Sequence, residues 1–177
     1  MKTPVSLSPS KVSSFKQCAL SFQYESIDKL PTLPNYSAVR GTLVHAALQG
    51  LFWHWGQGFR TLGNAGREMA AAWAARHQDP DFVDLGLDEA AEMEMLAECV
   101  ALVFNYLKLE DPNRVRVAGV ELTMEAEVDG VFLRGIIDRL DIGENGELIV
   151  VDYKTGKVPD AAKEKAKLEG VYFNAML

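Results

Sequence analysis

The sequence predicts a mixed α/β (α+β) fold: a helical half, then a small antiparallel sheet, then a last helix. Three observations carry this. Up to Pro112 the apolar residues recur at helical spacing. From Val115 onward the chain becomes rich in β-branched and aliphatic residues. Asp129-Gly130 falls between two such runs, where a two-residue hairpin turn is expected.

The elements follow in order. Ser8 can cap a first helix whose first position is Pro9. Pro31 and Pro34 break the chain into a connector. A second helix runs from near Ser37 to about Trp55, with Val44, Leu48, Leu51 and Phe52 on its apolar face, and the Gly56 to Gly58 stretch ends it. A third, rich in alanine, covers about Asn64 to Arg76. A fourth covers about Asp88 to Leu109; Ala91, Met95, Leu102, Val103 and Tyr106 recur on one side and its front half is acidic. Strands are expected over Val115 to Val128, Val131 to Ile142 and Glu147 to Lys154, with Gly143 to Gly146 as the second turn. Ile149-Val150-Val151 has no polar face, which predicts a central strand covered on both sides. The tail from Ala161 to Leu177 reads as a helix. The organisation is one domain over 1–177: 1–110 mainly helical, 113–155 a meander, 160–177 helical.

A chain of 177 residues with 48% hydrophobic and 24% charged residues suits one ordinary core. No apolar run has the length of a membrane span, and no signal-peptide h-region follows Met1, so no membrane association is expected. Two cysteines, Cys18 and Cys99, cannot build a disulfide framework, and a reducing, cytoplasmic setting is the expectation. The net charge of -7 argues against binding of nucleic acid by a bulk basic field. It is compatible with a carboxylate-rich metal site, where the cation restores local charge.

Asp152-Tyr153-Lys154-Thr155-Gly156 stands at the exit of the third strand. Alternation puts Asp152 and Lys154 on one face. They form either an ion pair that closes the strand or a working pair. Asp138 lies in the preceding strand, so the two aspartates should be cross-strand neighbours; its alternative is an ion pair with Arg139 or Arg134. Asp141 falls on the opposite face. Two carboxylates and a lysine can hold Mg²⁺ and steady a developing phosphate charge. His45 follows Gly41 by four residues on one helix face, and that glycine admits a close neighbour. His54 and His77 read as structural. Trp53, Trp55 and Trp73 are expected to pack between helices. Phe15, Phe22 and Tyr24 are either core or stacking residues.

Leu7-Ser8-Pro9-Ser10 with Phe15-Lys16-Gln17-Cys18, then Arg40 to His45, then Gly135-Ile136-Ile137-Asp138, then Asp152 to Gly156, together resemble the ordered motifs of PD-(D/E)XK nucleases of the RecB-like exonuclease branch. The resemblance implies a restriction-endonuclease-like core and hydrolysis of DNA phosphodiesters with Mg²⁺ or Mn²⁺. It implies His45, Asp138, Asp152 and the Tyr153 carbonyl as metal ligands and Lys154 as the catalytic lysine beside the catalytic Asp138 and Asp152. Glu121, Arg40 and Tyr172 would support. The expected setting is DNA repair, recombination or phage DNA processing, on single-stranded DNA or free ends. The alternative is a catalytically incomplete module that binds DNA or a helicase or nuclease partner. Two departures stand out. Glu169 and Tyr172 replace the branch's Gln-x-x-x-Tyr pair. Cys18 matches the first of four iron–sulfur cysteines whose other three have no counterpart, so no cluster is expected within this chain, and Cys18 reads as a vestige, a ligand completed by a partner, or a small buried hydrophobe. The C-terminal family elements are expected to be lacking, leaving a sheet edge covered by the last helix or by self-association.

Overall fold

The computed structural model describes residues 6–156 and 171–176. Ser8 caps helix α1 (Pro9–Gln17), its hydroxyl accepting from the Lys11 amide. A short helix α2 (Ala19–Phe22) and a π-helical turn (Gln23–Ile27) follow; the sequence reading did not anticipate them. After the proline connector come α3 (Tyr36–His54), α4 (Leu62–Ala75), α5 (Pro80–Asp84) and α6 (Glu89–Leu109). Asn35, Thr61, Asp79 and Asp88 each cap the helix that follows with a side-chain oxygen, so the polar punctuation sets the helix starts.

α3, α4 and α6 pack into the main core. Leu51, Ala65, Met95, Cys99 and Val103 are fully buried there. Removing their apolar surface from water at roughly 25 cal/mol per Å² is the dominant favourable contribution. Trp55 and Trp73 pack against this core as expected, but Trp53 does not: it is 71% exposed. Phe22 is buried with Phe15 edge-on to it, whereas Phe15 and Tyr24 remain largely exposed. His54 pairs with Glu68, and His77 stacks edge-on against Phe82.

The sheet has the order β1 (Val117–Val128), β2 (Val131–Ile142), β3 (Leu148–Val151), all antiparallel. Asp129 and Gly130 both take positive φ, 52° and 76°, as the tight hairpin turn requires. The expected central position of the third strand is wrong. β2 is central; β3 lies at the edge, with Leu148 and Ile149 exposed, and it stops at Val151. An apolar run reports cover on its two faces and does not by itself say whether another strand pairs beyond it. Among the described residues none does. Leu7 instead makes a parallel bridge to Leu133 further along β2, through hydrogen bonds of 2.8 Å to Phe132 and Arg134. This brings the start of α1 beside the exit of β3. Residues 171–176 are helical, and Asn174 there donates to the Ile136 carbonyl at 2.7 Å. The rest of the expected last helix, with Lys163, Lys165, Lys167 and Glu169, lies outside the described residues.

Candidate metal centre

Three elements meet at one point, and register explains two of them. Val120 pairs with Arg139 and Leu122 with Ile137, so Glu121 on β1 lies across from Asp138 on β2. Arg139 pairs with Val151, so one further step puts Asp152 across from Asp138 on the other side. A row of three carboxylates thus crosses the sheet with Asp138 in the middle. α3 supplies the third element, His45.

Asp138 has both carboxylate oxygens engaged. Oδ2 accepts from the Tyr153 amide at 2.6 Å, and Oδ1 lies 3.4 Å from His45 Nδ1. His45 Nε2 is 3.0 Å from the Tyr153 carbonyl oxygen, to which it donates as an N–H. The alternative ion pairs of Asp138 are not made: Arg139 bonds Glu110 and Asp141, and Arg134 sits near Glu125. Ligand atoms of His45, Glu121 and Asp138 all lie within 4.8 Å of one another.

Glu121 therefore joins the cluster directly rather than from its flank. Its φ is 49°, a region that costs a non-glycine residue roughly 1–2 kcal/mol. It follows a register shift between Val117 and Gly119, and a Cβ on Gly119 would lie 2.8 Å from the Leu122 side chain. Bulges re-aim side chains near functional sites. The glycine inside a strand pattern was the signal available in the sequence.

The strand exit is held by the helix motif. Arg40 donates to the Thr155 carbonyl at 3.3 Å and to Glu98 at 2.6 Å. A Cβ on Gly41 would come within 3.2 Å of the Thr155 hydroxyl, so the close neighbour expected at this glycine is Thr155. Tyr153 is fixed at its far end. Its hydroxyl accepts from Arg139 at 3.0 Å, and its ring stands edge-on to both His45 and Tyr106. Arg139, only 1% exposed, also bonds Tyr106, Glu110 and Asp141 and lies over the Phe52 ring. Asp141 lies on the same face as Arg139, which is its partner, and opposite to Asp138 as alternation predicts.

Asp152 and Lys154 form a close ion pair with each other, and the Asp152 carboxylate is not one of the three groups that lie within 4.8 Å of one another. They line a different cleft, of about 600 Å³, together with Ser8, Lys11, Arg134 and Asn174. Tyr172 is mostly exposed. Cys18 is exposed, while Cys99 is core, its thiol pushed up to about 11 by burial.

A model of the PD-(D/E)XK nuclease superfamily matches residues 6–171. The chain belongs to the PD-(D/E)XK nuclease superfamily. No curated protein matches it. In this PD-(D/E)XK chain Arg40 and His45 of α3, Asp138 of β2 and Tyr153 to Thr155 after β3 are in direct contact. Its donors fit a divalent cation: one imidazole and two carboxylates within reach of each other, and a backbone carbonyl beside them. Oxygen donors suit Mg²⁺, and the mixture with one imidazole suits Mn²⁺ equally. Asp152 Oδ2 is buried and, among the described residues, faces the Lys154 ammonium. No helix among the described residues is long and apolar enough to cross a membrane.

The geometry sets the direction of the site's pH response. The hydrogen bond to Asp138 raises the His45 pKa above its ordinary 6.5, outweighing burial, which acts the other way. Burial, then the Asp138 charge, raises Glu121 above the usual glutamate range. A raised folded-state pKa means the native state holds the proton more tightly than the unfolded chain. The stability contributed by His45 is full below 6.5 and is lost as pH rises through its folded value. The Tm of the chelator-treated protein is therefore expected to fall as pH rises above 6.5, and His45→Gln to remove that component. Mn²⁺ affinity, read by calorimetry, should rise over the same window because the cation competes with these protons.

Proposed function

We propose that this protein is a Mg²⁺- or Mn²⁺-dependent deoxyribonuclease of the RecB-like type, an exonuclease acting on single-stranded DNA or free ends in DNA repair, recombination or phage DNA processing in the cytoplasm. The observation that carries this reading is the convergence of His45, Glu121 and Asp138 beside the Asp152–Lys154 pair. His45, Glu121, Asp138 and the Tyr153 carbonyl would hold the cation, with Asp152 next to them across the strand. When bound, the cation supplies Lewis acidity toward a phosphate oxygen and lowers the pKa of water. The chain's own residues do the rest. Asp138 fixes the imidazole and the Tyr153 backbone in one geometry. The Lys154 ammonium, more than half exposed, is free to meet charge that develops on phosphate, while Asp152 holds it at the site. Lys11 and Arg134 line the same cleft and can orient neighbouring phosphates.

A second reading has one observation in its favour. Asp152 is tied to Lys154 rather than to the cluster, as in a nuclease-fold module that binds DNA or a helicase or nuclease subunit and completes its site only with that partner. Digestion of linear and covalently circular single-stranded DNA with Mg²⁺ or Mn²⁺ separates these. An exonuclease degrades the linear strand and spares the circle. Cutting of the circle would make the enzyme an endonuclease. Binding without cutting would favour the module.

A further inference from the structure

α3 carries Gly41, His45, Gln49 and Trp53 at steps of four, a single ridge of the helix. Exposure climbs along it: the first three are half-buried and Trp53 is 71% exposed. A cleft of about 470 Å³ follows the first part, bounded by His45 and Glu121. Another of about 340 Å³ follows the last part, bounded by Trp53 and Glu68. Ala46 and Gln49 line both, so the two are read as stretches of one groove that passes the metal centre, its other end lying at Ser37 and Ala38. His45 and Trp53 are eight residues apart, about 12 Å at about 1.5 Å per residue. That is three to four stacked nucleotide steps at about 3.4 Å each.

The lining says which part of a strand would fit. Gly50, Ala71 and Ala72 leave room beside the indole face. The Glu68 carboxylate is already engaged, accepting from Trp55 Nε1 at 2.8 Å and facing His54 Nδ1 at 3.1 Å, and it rests on Gly50 where any Cβ would collide. Among the described residues neither stretch is lined by lysine or arginine. This surface offers an aromatic platform and an amide, which suits bases; the Lys11, Arg134 and Lys154 cations line a separate cleft.

We propose that the groove along α3 is the track for unpaired DNA bases leading to the metal centre, with Trp53 as a stacking platform that selects single-stranded DNA. The inference rests on the nuclease reading above. A duplex keeps its base faces stacked on one another, so only an unpaired base can lie on this indole.

The test is fluorescence anisotropy with a labelled oligothymidylate and a blunt duplex of equal length, in chelator so that nothing is cut. Trp53→Ala should weaken single-strand binding about tenfold, the size of one base–aromatic stack, and Trp53→Phe should restore it to within about threefold. Duplex affinity should be the same in all three proteins. Unchanged single-strand affinity in Trp53→Ala, an equal loss on duplex, or no single-strand binding by the intact chain would overturn the proposal. So would dissociation of a dimer by Trp53→Ala in sedimentation, which would make this face a contact between copies. Because the readout is binding, strand capture through Trp53 in a chain that never cuts DNA would keep this inference while removing the nuclease reading.

Discussion

Asp138→Ala is expected to lower metal-dependent DNA cleavage by a factor on the order of 10² to 10³, the loss typical when a preorganised charged group leaves an active site. The effect should be larger than for any neighbour because Asp138 holds three things at once. It is the central carboxylate of the row, it bonds His45, and it accepts the Tyr153 amide at 2.6 Å. Mn²⁺ binding measured by calorimetry should be lost in the same variant. Asp138→Asn separates the roles, since the amide oxygen can still accept from Tyr153 but brings no charge to a cation. Near-native cleavage by Asp138→Asn would mean that the carboxylate only supports the backbone.

Arg139→Met is expected to destabilise the fold by about 3–5 kcal/mol, the usual cost of stripping one partner from a buried ion pair. The guanidinium is 1% exposed and serves Glu110, Asp141, Tyr106 and Tyr153 together. Asp141 is nearly as buried and already has one oxygen without a partner, so it would be left as an uncompensated charge. For a chain of this size each kcal/mol moves Tm by about 2–4 °C, so a drop of roughly 10 °C is the reading in thermal denaturation. Arg139→Lys should recover little, because one ammonium cannot reproduce the planar fork that serves these partners. A Tm within about 2 °C of the parent in Arg139→Met would contradict this account.

These two residues mark what the sequence could and could not disclose. Asp138 was legible because it sits in an apolar strand, where a carboxylate needs a reason, and because the following turn placed it beside Asp152. Arg139 was not. Next to Asp138 it looked like a surface partner, and only the fold shows that α6 delivers Tyr106 and Glu110 to it. Helix starts were legible from Ser8 and Asp88, whose caps act locally. The position of β3 was not, because Ile149-Val150-Val151 carries no record of which strand lies beyond it. Glu121 entered the site through a bulge and a left-handed backbone, a distortion for which Gly119 was the only local sign. Trp53 is expected from the sequence to pack between helices, yet the small residues of α3 and α4 beside it leave its face open. Sequence pattern reports local preference and alternation well, and reports poorly whatever depends on which distant element arrives as a neighbour.

The central claim is that the converging residues make a working metal-dependent nuclease. Digestion of linear single- and double-stranded DNA tests it most directly, with Mg²⁺ or Mn²⁺ and with chelator, comparing the intact chain with Asp152→Ala and Lys154→Ala after folding of each is checked. Cleavage by the intact chain that stops in chelator and is lost in both variants is the expected result. A folded chain that cuts no DNA with either cation, or whose cleavage survives both substitutions, would contradict it.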